Sequence, residues 1–222
     1  MKSLEELINK DEPGWALVSE WISSASNQVE ILSRNKKRAE STLLQTQVTT
    51  RSPLGAVIYE TGGILVNHGW LRILGSGSKK LKRSIADWNY GNTYAFLGAQ
   101  PAIVLVADDV VGGFFAINGG ALGSDVGNIY YFAPDMLEWE SLDVGYSAFL
   151  NWAFSGDLEE FYGSLRWSRW EEESEKLHGD AAFSFFPFLW TEYEDIDELS
   201  RKVVPIDEIW SLHQDLAEQL NH

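Results

Sequence analysis

The stretch GGFFAINGGALGSDVGNIYYFAPDMLEWE, residues 112–140, decides the predicted fold. Its apolar, aromatic runs at 113–118 and 128–134 are separated by segments rich in glycine, asparagine and aspartate, which favour turns. The run 137–142 alternates strictly, so Glu138 and Glu140 share one face of a strand. Successive strands with short connections pair antiparallel, because a parallel pair needs a crossover of about a dozen residues. We therefore predict an antiparallel β-meander.

The glycines of this stretch match neither common phosphate-binding loop. A P-loop needs lysine and then serine or threonine after its last glycine, and residues 117–128 contain no lysine. A dinucleotide fingerprint needs the spacing G-x-G-x-x-G at the start of a helix, whereas these glycines are spaced differently and lead into a strand. We interpret them as turn residues and predict no cofactor.

Helical patterns lie on both sides of the meander. SPLGAVIYETGG, residues 52–63, has a Ser–Pro start and a paired-glycine end, and residues 64–75 then indicate a strand, a turn and a strand. Apolar stripes at 146–154 and 209–220 indicate helices after the meander. We predict a single α+β domain over residues 1–222. It has N-terminal helices at about 1–61, a central antiparallel β-meander at about 64–142 flanked by helices, and C-terminal helices and a tail at about 146–222.

The charge of the chain is uneven. Its 17 basic and 33 acidic residues give a net charge of −16. Residues 1–100 carry 12 Lys and Arg against 9 Asp and Glu, whereas residues 101–222 carry 5 against 24. An acidic half attracts basic proteins and repels phosphate backbones, so we predict no nucleic-acid partner. The exceptions to consider are the basic clusters RNKKR (34–38) and KKLKR (79–83), which we interpret as ordinary solvated loops.

Composition excludes several classes of protein. The chain has no cysteine, and therefore no disulfide, no thiolate nucleophile and no thiolate metal ligand. It has no apolar run of about 18 residues that would span a bilayer. Its first 15 residues carry acids where a signal peptide needs an apolar stretch. We expect a soluble, cytoplasmic protein with no membrane partner.

Candidate catalytic groups form no recognisable constellation. The histidines are scattered, with His213 beside the apolar stripe of the last helix, and we predict no metal site and no catalytic residue. There is no G-x-S-x-G motif. Acidic pairs occur at Asp108–Asp109 and Glu138/Glu140, and an acidic run at 192–198; we interpret these acids as a solvated face. The alternative is a hydrolase-type enzyme that uses two facing loop carboxylates on a small polar substrate.

The order of these segments resembles the SUKH superfamily. The resemblance lies in a helix ending in ETGG (60–63), two strands, the stretch 112–140, GYSAFLNWAFSGDLEEFY (145–162) and the closing VVPIDEIW (203–210). TTRSPLGAVIYETGGILVNHGWLRILGSG (49–77) also resembles a bacterial family catalogued only as a domain of unknown function, over nearly the whole chain. The SUKH resemblance implies a non-catalytic module, either an immunity-like inhibitor of a nuclease-type toxin or a regulatory scaffold.

Charge and resemblance together predict a protein-binding module whose acidic half meets a basic protein partner. The candidate partner-binding residues are Glu138, Glu140, Glu192, Glu194, Asp195 and Asp197. Besides the hydrolase, a self-assembling structural protein is an alternative, in which the basic half of one copy meets the acidic half of another. A homo-oligomer therefore stays open.

Overall fold

The computed structural model describes residues 1–94 and 101–220. Its centre is a seven-stranded antiparallel sheet in which the strands follow one another in chain order. The strands are β1 (Val29–Ile31), β2 (Gly63–Val66), β3 (Leu71–Leu74), β4 (Ile103–Asp109), β5 (Phe114–Asn118), β6 (Asn128–Ala133) and β7 (Glu138–Gly145). The predicted meander is confirmed. Strand β1 is not predicted, because three residues are too few to show alternation.

Helices and a second small sheet surround this meander. The helices are α1 (Leu4–Leu7), α2 (Trp15–Ser23), α3 (Lys36–Thr46), α4 (Pro53–Glu60), α5 (Ile85–Asn89), α6 (Tyr146–Ser155), α7 (Leu158–Tyr162), α8 (Trp170–Lys176) and α9 (Ile206–Leu220). Strands β8 (Ala181–Phe186) and β9 (Ser200–Pro205) form an antiparallel pair. The predicted α+β class, with a central antiparallel meander flanked by helices, is confirmed.

The turns follow the chemistry of the sequence. Asn67 and His68, between β2 and β3, have φ of 53° and 59°, which is the backbone twist that a tight hairpin requires. In the glycine-rich segment, Gly120 and Gly127 have φ of 120° and 96°. The Asn118 side chain accepts from the N–H of Gly120 at 2.7 Å and so folds that segment back on the end of β5. These conformations agree with the interpretation of the glycines as turn residues.

The two faces of the sheet carry different aromatic clusters. Phe114 and Phe132 are opposite each other on β5 and β6, and both contact His213 of α9. The next pair along, Phe115 and Tyr131, faces α6 and α7, where Phe115 lies 5.0 Å from Phe149 between ring centroids. Alternation along each strand therefore divides the core into an α9 side and an α6–α7 side.

Two further predictions concern the α9 side and the membrane. His213, which the sequence places beside the apolar stripe of the last helix, is almost completely buried at 4% exposed, whereas His222 lies outside the described residues. Within the described ranges, no helix combines the length and the apolar character needed to cross a bilayer.

Candidate functional site

A row of four side chains, three of them charged, crosses the α9 side of the sheet. Glu30, Leu65, Arg72 and Asp108 are direct cross-strand neighbours on β1 to β4. Opposed residues on neighbouring strands point to the same face, so Arg72 and Asp108 meet there. Their Nη2 and Oδ1 atoms are 2.7 Å apart, and the two side chains are 2% and 0% exposed. The pair is fully removed from water.

Arg83, from the basic cluster 79–83, joins the same carboxylate. Its Nη2 donates to the second oxygen of Asp108 and, at 3.0 Å, to the carbonyl of Gly179. Its guanidinium also lies 4.7 Å from the centre of the Trp88 ring. Burial lowers the pKa of Arg83. The interpretation of this cluster as a solvated loop is therefore wrong at Arg83, whose charge is buried against a carboxylate.

Asp109 follows Asp108 on β4 and points to the opposite face of the sheet. It accepts hydrogen bonds from the N–H of Gly113 at 2.7 Å and from the hydroxyl of Tyr131 at 2.8 Å. Burial raises the pKa of Asp109 to about 6. Both acids are 0% exposed, so the predicted solvated face is wrong for this pair. Nor do they face each other across a cavity, as an acid–base pair on a sugar would.

The two basic clusters meet in space. Residues 30–35, 38, 77–80 and 82 line a groove of about 770 Å³, which we call the basic groove. Arg38 donates to the carbonyl of Lys82 at 2.6 Å and so fixes one cluster against the other. Among the described residues that line the groove, five side chains are basic and one, Glu30, is acidic.

Some charges of the basic groove are neutralised and others are not. Lys80 pairs with Glu30 at 2.5 Å, Arg34 with Glu60 at 2.9 Å, and Arg38 with Asp87 at 3.4 Å. Lys79 and Lys82 are exposed, and neither forms an ion pair with any carboxylate in residues 1–94 and 101–220. The groove is therefore a locally positive surface on a chain whose net charge is −16.

A second cavity of about 280 Å³ adjoins the basic groove and shares Glu30 and Lys80 with it. We call it the inner pocket; its lining includes Arg72, His68 and residues 174–179. Arg72 and Ser174 are themselves buried, and within the described residues Arg72 Nε and Ser174 Oγ have no hydrogen-bond partner. The more accessible polar lining of the inner pocket comes from His68, Glu175 and Lys176.

The chain is similar to known proteins over nearly its whole length. The model of the family described as "Protein of unknown function DUF2625" matches residues 4–209. The chain belongs to this family. It is 45% identical over 218 residues to the uncharacterized protein YbfG of Escherichia coli (strain K12), covering 98% of each chain. It is 44% identical over 208 residues to an uncharacterized protein of Haemophilus influenzae (strain ATCC 51907 / DSM 11121 / KW20 / Rd), covering 93% of this chain and 91% of that one.

Membership in the DUF2625 family confirms the bacterial family of unknown function that residues 49–77 indicated. The resemblance to the SUKH superfamily stays a prediction. The names of both relatives describe uncharacterized proteins and state no activity.

The predicted acids of the meander lie where alternation puts them. Glu138 and Glu140 are exposed on β7, which among the described strands pairs with β6 alone and forms an edge of the sheet. Trp139 between them is half-buried. Glu140 is opposite Tyr131, which belongs to the α6–α7 side. Both carboxylates are therefore free to meet another molecule along this edge.

The second predicted group of acids is distributed differently. Glu192, Glu194, Asp195 and Asp197 are all exposed, and Asp197 also accepts from the N–H and the hydroxyl of Ser168 at 3.0 and 2.8 Å. Nearby Trp190 contacts His213, which places the start of this segment beside α9.

Sequence reasoning missed the basic groove, the inner pocket and the ion triad of Arg72, Arg83 and Asp108. A signal for the triad was present, because a charged residue at the end of a continuous apolar strand needs a buried counter-charge. The groove has no local signal, since its two halves are separate in sequence. In the part of the chain that the structure describes, no group of three or more His, Asp or Glu could hold a metal ion.

Proposed function

We propose that the protein is a non-catalytic binding module of the cytoplasm that recognises a basic protein through the exposed edge of its sheet. The observation that carries this proposal is the composition of that edge. Glu138, Glu140 and Asp143 are exposed along β7, while Met136 at one end and Val126 near the other are 57% and 67% exposed. We call these five residues the acidic edge.

Charged and exposed apolar side chains have different roles in such a surface. Neither Glu138 nor Glu140 forms an ion pair with a cation of the described ranges, so both can attract a basic partner. Exposed charges speed association and select the partner more than they add affinity. Met136 and Val126 would supply the apolar contact. The same acids repel the identical edge of a second copy, which protects an open strand from self-pairing.

The hydrolase alternative has less support. It requires two carboxyl groups that converge on a substrate, whereas Asp108 and Asp109 point to opposite faces and are held by internal partners. In the inner pocket Glu30 is engaged by Lys80. A module that binds through its surface therefore fits the geometry better, either as an immunity-like inhibitor of a basic nuclease-type toxin or as a regulatory scaffold.

Self-assembly is a second candidate, favoured by one observation. The chain carries both a basic groove and an acidic edge, so one copy offers a surface complementary in charge to another. A contact of this kind is heterologous and closes into a ring or extends into a filament. Light scattering distinguishes it, because a charge-driven assembly dissociates between about 50 and 500 mM NaCl.

Affinity capture with matched charge variants tests the main proposal. The immobilised chain, the E138Q/E140Q variant and the control E5Q/E20Q are exposed to host lysate at about 50 and about 500 mM NaCl. Glu5 and Glu20 are exposed acids of α1 and α2, so the control removes the same charge elsewhere. We expect a basic protein to be retained at low salt by the wild type and the control, and to be depleted on E138Q/E140Q. Equal retention on all three would refute the acidic edge, and no salt-sensitive basic protein at all would refute the proposed function.

A further inference from the structure

The basic groove holds more positive charge than its own carboxylates neutralise. Its wall from residues 34–38 and its wall from 79–82 are locked together by the bond from Arg38 to the carbonyl of Lys82. The side chains of Lys79 and Lys82 project from this fixed frame without a carboxylate partner in the described residues. Packing does not explain them, because both are exposed.

The available donors are of the kind that bind phosphate. Lysine ammonium groups are compact, strongly hydrated point charges that serve as phosphate ligands, and Arg34 and Arg38 add two shared guanidinium groups. Helix α3 begins at Lys36, beside the groove residue Asn35, so the positive end of its dipole adds to the same field. Several cations around one groove suit an anion with more than one negative charge.

The size and lining of the groove favour a small anion over a nucleic acid. No aromatic ring lies among the described residues that line it, so it lacks the stacking platforms that hold single-stranded nucleic acids. A long phosphate backbone would also extend over the acidic remainder of the chain, whose net charge is −16. A small anion meets only the local field, since charges beyond about 10 Å are largely screened at 0.1 M salt.

We propose that the basic groove is a binding site for a small phosphorylated ligand, held through its phosphate groups by Lys79 and Lys82. The adjoining inner pocket, whose lining includes His68, Glu175 and Lys176, gives the rest of such a ligand a cavity of about 280 Å³. This site is separate from the acidic edge, and neither proposal depends on the other.

Isothermal titration with sodium pyrophosphate at constant ionic strength tests the site. The variant K79Q/K82Q removes the two charges that have no ion pair within the described ranges. The control K10Q/K202Q removes two exposed lysines outside the groove that likewise have no ion pair there. We expect the wild type and K10Q/K202Q to bind equally, and K79Q/K82Q to bind about tenfold more weakly, the loss expected for two partly exposed charge pairs. Unchanged thermal unfolding of both variants shows that the fold is intact.

Four results would overturn the proposal. The first is that the wild type does not bind pyrophosphate at concentrations up to about 10 mM, the range of nonspecific association. The second and third are that K79Q/K82Q binds as tightly as the wild type, or that K10Q/K202Q loses as much affinity as K79Q/K82Q. The fourth is that sulfate binds as tightly as pyrophosphate. A short single-stranded RNA that competes at lower concentration than pyrophosphate, with the same dependence on Lys79 and Lys82, would assign the groove to nucleic acid instead.

Discussion

Replacing Asp108 by asparagine is the sharpest perturbation of this fold. Each oxygen of the Asp108 carboxylate meets one guanidinium, Arg72 on one side and Arg83 on the other, and all three side chains are almost completely buried. Asp108→Asn keeps the shape but removes the only full charge that this triad has to offset its two cations. The variant thus leaves Arg72 buried with no ionised partner among the described residues, and leaves Arg83 with only the more distant Asp180, whose carboxylate is 3.9 Å away.

The expected cost follows from that burial. Removing one partner of a buried ion pair typically costs about 3–5 kcal/mol, because the remaining charge stays desolvated. Since domains of this kind are stable by only about 5–15 kcal/mol, Asp108→Asn should remove a large part of the stability. Arg83→Met should cost less, because it leaves the neutral pair of Arg72 and Asp108 intact.

Urea unfolding, followed by tryptophan fluorescence and circular dichroism, measures these changes. The matched control is Glu172→Gln, because Glu172 also lies between two cations, Arg169 and Lys176, but its side chain is 50% exposed. We expect only a small change there, although these cations lower the pKa of Glu172 to about 2. The reasoning fails if Asp108→Asn stays within about 1 kcal/mol of the wild type, the size of a surface effect, or if Arg83→Met is equally damaging.

Three further predictions concern buried titratable groups and glycines. Because the pKa of Asp109 is raised to about 6, this group stabilises the fold below about pH 4, and the stabilisation is lost as the pH rises through about 6. Asp109→Asn should therefore lower the free energy of unfolding by about 1 kcal/mol more at pH 5 than at pH 7, as measured by urea unfolding. Burial lowers the pKa of His213 to about 4, so the stability that the neutral imidazole contributes is lost as the pH falls below about 6.5. Between pH 7 and pH 5 the free energy of unfolding of the wild type should therefore fall by about 2 kcal/mol relative to that of His213→Gln. Gly55→Ala should lower the melting temperature although alanine favours helices, because its Cβ would lie 2.1 Å from the Thr49 carbonyl oxygen. Gly163→Ala should raise the melting temperature, because no atom would lie closer than 3.8 Å to its Cβ. The reverse order of melting temperatures would contradict the predicted steric clash at Gly55.

The sheet was predictable because its information is local. Runs of aromatic and apolar residues at 113–118 and 128–134 correspond closely to β5 and β6, and turn residues separate them. The exposed positions of Glu138 and Glu140 follow from alternation on one strand. Each of these features depends on neighbours within a few residues, so no knowledge of distant contacts is needed.

The site was less predictable because its parts are distant in sequence. Arg83 and Asp108 are 25 residues apart, and the bond that joins the two walls of the basic groove spans 44 residues. The sequence does not show whether a charged residue is solvated or is buried against a residue of opposite charge. This is why Asp108, Asp109 and Arg83 were all assigned to solvated surface, and why two clusters were treated as separate loops.

The sequence by itself determined the fold class, the order of the strands and the contrast between a basic first half and an acidic second half, because periodicity and composition are properties of consecutive residues. Only the tertiary structure decided which charges are neutralised in the interior and which remain exposed. Burial and counter-charge depend on chain segments that meet only after folding, and the same pairing that hides Arg83 against Asp108 brings residues 34–38 beside residues 79–82.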